Sequence, residues 1–81
     1  MTTQYHADID LDVRGLSCPL PVIRTRKAVD ELGSGKILNV ITSDLTSTNE
    51  YHALANSLGL ELLDSNINKD EGVLAIWLRK P

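Results

Sequence analysis

The chain has 81 residues, 42% of them hydrophobic and 23% charged, with a formal net charge of −3. That length points to one domain with a small core, and the acidic balance argues against nucleic acid as the main partner. No apolar run approaches a membrane span, and the N-terminus lacks the basic-then-apolar order of a secretory leader, so the cytoplasm is the expected compartment.

Residues 1–8 are polar and read as a flexible N-terminus; residues 9–81 read as a single domain. Ile9-Asp10-Leu11-Asp12-Val13-Arg14 alternates strictly, which predicts a strand with Ile9, Leu11 and Val13 towards the core. Gly15-Leu16-Ser17 is a turn. A helix follows from about Pro19 to Leu32, stopped by Gly33, with Val22, Thr25, Ala28, Val29 and Leu32 as its core stripe. Lys36–Thr42 is rich in β-branched residues and predicts a second strand. Ser47-Thr-Asn-Glu50 fits a capping box at the head of a second helix. Its stripe is Tyr51, Leu54, Ala55 and Leu58, and Gly59 ends it. Leu60–Asn68 and Val73–Arg79 predict two more strands, joined by a hairpin turn at Lys69-Asp70-Glu71-Gly72. If Leu74, Ile76 and Leu78 face the helices, Trp77 falls on the other face of the sheet, near Ile37 and Ile41. The order β-α-β-α-β-β, with right-handed crossovers between parallel strands, gives an α+β two-layer sandwich: a four-stranded mixed sheet with two helices on one face.

Cys18 is the only cysteine. It can make no intramolecular disulfide and no cysteine-rich zinc site, and only His6 and His52 could assist it with a metal. No metal or organic cofactor is implied. What remains is a free thiol, either buried and inert or exposed and reactive. Its place at the mouth of a helix favours the second: a thiolate there meets the positive end of the helix dipole. A free cysteine titrates near ~8.5, and helix N-termini with basic neighbours lower this to roughly 3.5–7.5. Arg14, Arg24, Arg26 and Lys27 are candidate basic neighbours. Pro19 and Pro21 stiffen the mount of the thiol but remove two N–H donors that could have touched it, so the expected depression is moderate. Asp44, in the loop after the second strand, is expected on the same sheet edge and, if close, would oppose it; its residue type and place favour a turn and capping role over a site role. Leu20 and Ile23 beside the thiol read either as a small apolar contact patch for a partner or, for Ile23, as packing against the neighbouring element, which is the reading favoured here. Position 21, where a dithiol oxidoreductase carries its second cysteine, is a proline, so no neighbouring thiol discharges what Cys18 accepts.

The pattern Leu11-Asp12-x-x-Gly15-Leu16-x-Cys18-Pro19-x-Pro21 resembles the signature of the TusA family, also called SirA-like or YhhP-like: small cytoplasmic sulfur carriers with a Cys-Pro-x-Pro motif. The resemblance runs over about residues 9–81 and includes the terminal Ile-Trp-Leu-Arg-Lys. It implies a sulfurtransferase-type carrier holding a persulfide on Cys18. The sulfur would come from a cysteine desulfurase or rhodanese-type donor. It would pass to an acceptor protein serving tRNA thiolation, molybdenum cofactor maturation or sulfur oxidation. On that reading Pro19, Leu20, Pro21, Arg24, Arg26, Lys27 and Asp44 are the binding surround, with neither membrane nor nucleic acid as direct partner. The sequence departs from the tRNA-thiolation members at Leu20, where they carry Glu, and at Asp30, where they carry a basic residue. Leu45 stands where many members have Pro. These changes bear on the acceptor and leave the sulfur chemistry intact. On the residues alone two other readings stand: a small regulatory or RNA-binding module in which Cys18 is structural, and a redox sensor.

Overall fold

The computed structural model describes residues 6–17 and 20–81. Alternation at the start of the chain produces strand β1 (Ile9–Asp12), followed by helix α1 (Leu20–Glu31), strand β2 (Ile37–Thr42), helix α2 (Thr48–Leu58), and strands β3 (Glu61–Asn68) and β4 (Val73–Arg79). The strands lie in the order β1-β2-β4-β3. β1 runs parallel to β2, with Ile9 opposite Leu38 and Asp12 opposite Ile41; β4 is antiparallel to both β2 and β3. This is the expected two-layer sandwich.

One face of the sheet builds the core. Val13, Leu38, Val40, Leu74, Ile76 and Leu78 are fully buried there and form one cluster with Ala28, Val29 and Leu32 from the α1 segment and Tyr51, Leu54 and Ala55 from α2. A two-residue side-chain period on the strands and a 3.6-residue period on the helices are enough to bring these positions together. The α1 seam differs by one residue from the expected stripe. Pro21, Thr25, Ala28 and Leu32 are buried, a spacing of four, three and four, whereas Val22 is only half-buried. At the heart of the helix pair, the Thr25 hydroxyl donates to the Pro21 carbonyl at 2.8 Å and lies 3.4 Å from the Tyr51 hydroxyl.

Helix α2 ends as its glycine requires. Gly59 adopts φ 70°, the left-handed region, and the Leu60 N–H returns to the Ala55 carbonyl at 2.8 Å, the Schellman closure. Its start corrects the sequence reading. Ser47 occupies the N-cap position with φ −87° and ψ 5° and makes no side-chain capping bond. A capping side chain needs an extended backbone at its own residue; at Ser47 the chain is already turning. Its hydroxyl donates backwards to the Asp44 carbonyl at 2.8 Å instead. The expected Ser47–Glu50 exchange is therefore not made.

A second irregularity lies in β3, whose pairing with β4 skips a residue between Leu62 and Asp64, a bulge that kinks the strand. On the outer face of the sheet Trp77 stands opposite Asn39 and Asp64. Ile37 and Ile41 share that face, as expected. Trp77 is nonetheless only 8% exposed.

Candidate functional site

Parallel pairing of β1 and β2 forces their C-terminal ends to the same edge of the sheet, the edge at which open α/β sheets place ligands. The ladder continues one residue past β1, with the Val13 N–H on the Ile41 carbonyl at 2.8 Å. The chain then turns at Gly15, whose φ of 77° is in the left-handed region that a side chain disfavours. The Gly15 N–H donates to the Ser43 hydroxyl at 2.9 Å. That bond ties the loop after β1, which carries the motif, to the loop after β2. The expected side-by-side arrangement of the two loops is thus made through Ser43, a residue the sequence reading passed over. No local pattern marks it, because its role exists only once the strands have paired.

Each loop is braced from within. Arg14 grips Asp12 in a two-pronged ion pair, Nη2 to Oδ2 at 2.8 Å and Nε to Oδ1 at 2.9 Å, and its backbone N–H donates to Oδ1 as well. The Arg14 side chain, followed by its backbone N–H, holds the Asp12 carboxyl down at about 2. Arg14, expected among the basic neighbours of the thiol, has its guanidinium engaged by Asp12, which raises its own pKa. In the second loop Asp44 Oδ1 accepts from the Thr46 hydroxyl at 2.7 Å and the Thr46 N–H at 3.0 Å, and those bonds lower its pKa. Asp44 is a turn-former in this geometry, folding the loop into α2.

The first turns of α1 present the remaining candidates. Leu20 is 44% and Ile23 54% exposed. Ile23 therefore does not pack against a neighbouring element, and the two make one apolar patch at the head of the helix. Arg24, Arg26 and Lys27 are exposed on the same helix. The ion pairs among the described residues are Arg14–Asp12 and Arg79–Glu61, so all three cations of α1 are available. Pro21 is buried under the first turn. The Leu20 N–H donates to the Ser17 carbonyl at 3.0 Å. The expectations for Cys18 and Pro19 themselves lie outside the described residues.

The β3–β4 hairpin shares this edge, which the sequence reading did not anticipate. Thr42 at the end of β2 pairs with Leu74 near the start of β4, so the turn at residues 69–72 closes at the same end of the sheet. Asn68 Oδ1 organises it by accepting from the Asp70 and Glu71 N–H groups, and the Glu71 carboxylate contributes to the raised pKa of Arg14. Antiparallel insertion of β4 beside β2 dictates it, and element order alone does not show that insertion. Among the described residues no cluster of three His, Cys, Asp or Glu side chains is placed to hold a metal ion, and no helix is long and apolar enough to cross a membrane.

The assembled edge therefore carries a braced loop, a helix mouth flanked by an apolar patch and free cations, and a second loop bonded to the first. Comparison with known proteins agrees in extent with this frame. The family model described as sulfurtransferase TusA matches residues 9–80. The Bacillus subtilis protein YrkI is 43% identical over 75 residues, spanning 91% of this chain and 96% of that protein. The sulfur carrier protein TusA of Allochromatium vinosum is 42% identical over 65 residues, spanning 80% and 82%. The crystal structure of a SirA-like protein from Desulfitobacterium hafniense superposes with a TM-score of 0.76 at 30% identity, covering 88% of this chain and 95% of that one.

Proposed function

We propose that this chain, which belongs to the TusA sulfurtransferase family, carries sulfur as a persulfide on Cys18 and relays it between two proteins. The observation that supports this reading best is the placement of the motif. The sole cysteine of the sequence stands between a strand end and a helix mouth, on a loop that Gly15 and Ser43 hold against its neighbour. A carrier needs one accessible sulfur, fixed in position, with no second thiol to release its cargo early.

The chemistry is a pair of displacements. The Cys18 thiolate attacks the outer sulfur of a persulfide on the donor, whose inner sulfur leaves as a thiolate; a new S–S bond to Cys18 replaces the one broken. In the second step an acceptor thiolate attacks the outer sulfur now on Cys18, and Cys18 leaves as the thiolate. No net oxidation occurs in either step, so no redox cofactor is called for. The thiolate is the reactive form in both directions, and the N-terminal end of α1 favours it electrostatically.

Pro19 and Pro21 present the sulfur. Leu20 and Ile23 supply the apolar contact, and Arg24, Arg26 and Lys27 steer acidic partner surfaces towards it. Asp44 shapes the adjoining wall. Residues 9–81 act as one sulfur-carrier domain in the cytoplasm. The donor is a cysteine desulfurase or a rhodanese-type protein and the acceptor another protein of the relay. Labelled sulfur tests the reading. After incubation with sulfur-labelled cysteine and a desulfurase, wild type retains label on a non-reducing gel and loses it to dithiothreitol, whereas Cys18→Ser takes up none. Label retained equally by Cys18→Ser contradicts it.

A further inference from the structure

The strand order leaves β1 at one edge of the sheet, paired among the described residues with β2 alone. An edge strand offers a row of backbone donors and acceptors to another chain unless it is blunted. The opposite edge, β3, is blunted by its bulge at Leu62 and Asp64. β1 has no bulge and no proline.

Beside that edge lies a shallow depression of about 260 Å³ between β1 and α1, lined by Leu11, Arg24, Lys27, Ala28 and Glu31. Leu11 and Ala28 make an apolar floor. Arg24 and Lys27 stand on the rim with no ion-pair partner among the described residues, and Glu31 closes the end farther from the motif loop. The other face of β1 carries Asp10 and Asp12, which alternate with the core-facing Ile9 and Leu11. Arg14 already pairs with Asp12, so Asp10, which accepts from the Asn39 amide, is the carboxylate there without a cation among the described residues. The lengths agree. The four residues of β1 span about 13 Å at ~3.3 Å each, and Arg24 to Glu31 spans about 10 Å of helix at ~1.5 Å per residue.

These features specify an occupant. A second copy of β1 would bring another Asp10, again without a cation, to the same face, and like charges placed opposite each other destabilise a strand pair. We propose that the β1 edge docks an extended segment of a partner protein by strand addition. That segment carries alternating charge: acidic or apolar side chains face α1, and basic side chains face the Asp10 side. Main-chain bonds supply affinity and the alternating side chains supply choice of partner. The partner's membership of the relay rests on the proposed function; the strand addition does not.

The test uses the full chain and a blocked hexapeptide, Lys-Glu-Lys-Val-Lys-Glu, titrated into isotopically labelled protein and followed by amide NMR. The same titration is run on Cys18→Ser, because docking needs no thiol. Its outcome therefore stands apart from the sulfur reading. Expected are shifts confined to Asp10–Asp12 and Arg24–Glu31, slowed exchange of β1 amides, and about tenfold weaker binding to the doubly charge-reversed variant Arg24→Glu/Lys27→Glu. A peptide of the same sequence with N-methylated backbone, which cannot pair with a strand, should also bind at least about tenfold more weakly. Circular dichroism checks that the variant is folded, and the methylated peptide probes wild type without any substitution. Equal binding of the methylated peptide, shifts centred on β3 or the outer sheet face, or no shifts at all overturns the proposal.

Discussion

The hydroxyl pair between the helices offers a sharp test of how the core is held. Tyr51 is fully buried and its hydroxyl meets only Thr25 among the described residues, at 3.4 Å. Thr25, by contrast, is also satisfied by the Pro21 carbonyl at 2.8 Å. The two partners are therefore unequal, and removing them should have unequal effects. Tyr51→Phe deletes a long bond and orphans nothing, a cost below about 1 kcal/mol. Thr25→Val keeps the shape of the side chain but strands the Tyr51 hydroxyl away from water, a cost of about 1–3 kcal/mol. In the double variant both polar atoms are gone, and about 1 kcal/mol of that loss should return. Tyr51→Phe is thus expected to be mildly destabilising alone and stabilising in the Thr25→Val background. Urea unfolding followed by the fluorescence of Trp77, the only tryptophan, reads this out directly. With a slope of about 1 kcal/mol per molar for so small a domain, the midpoint should rise by about 1 M from Thr25→Val to the double variant. A double variant less stable than Thr25→Val would mean that the Tyr51 hydroxyl has another partner, and would refute the reasoning.

The Asp12 carboxyl, held at about 2 against an ordinary 3.8, contributes stability above pH ~4 that is lost as the pH falls towards 2. Carboxyl NMR should find its midpoint near 2 in wild type and raised in Arg14→Gln, though short of the ordinary value because the residue-14 N–H still donates to the carboxylate; an unchanged midpoint in that variant contradicts the ion pair as cause. Gly15→Ala should cost about 1–2 kcal/mol in left-handed backbone strain at its φ of 77°, with no clash added to it, because the new Cβ meets nothing within 4 Å. A thermal melt lowered by roughly 4–8 °C per kcal/mol reports it, and an unshifted melt shows that the loop relaxes freely. Arg24→Glu/Lys27→Glu should slow sulfur uptake from a donor about tenfold at low salt, with the difference shrinking as salt rises. Uptake insensitive to both charge and salt would remove these cations from donor docking.

Most of the frame was legible because it rests on period. Ile9, Leu11 and Val13 announced one face of β1, and Tyr51, Leu54 and Ala55 one side of α2; on β4 the alternation left two facings open, and burial of Leu74, Ile76 and Leu78 settles which one meets the helices. The misreadings occurred where local pattern met tertiary detail. Ser47 and Glu50 have the spacing of a capping box, but the capping bond depends on the backbone angles of Ser47, and Asp44 and Thr46 had already turned the chain. The β3 bulge coincides with the Leu62-Leu63 doublet, which breaks the alternation begun by Leu60-Glu61-Leu62, but a doublet alone does not tell a bulge from a strand buried on both faces. At the site, the adjacency of the loops followed from parallel pairing. The bond that secures it, from Gly15 to Ser43, joins residues far apart in sequence and was not visible in either. Arg14 is a candidate basic neighbour of the thiol by sequence; what the sequence does not show is that its guanidinium is engaged by Asp12, two residues away.

The central claim is that Cys18 carries a single sulfur. Intact mass spectrometry after incubation with free cysteine and a cysteine desulfurase, or with a rhodanese and thiosulfate, addresses it most directly. The account predicts a gain equal to one sulfur atom, mapped to the peptide containing Cys18, lost on reduction and absent from Cys18→Ser. No gain from either donor, or the same gain in Cys18→Ser, would contradict it.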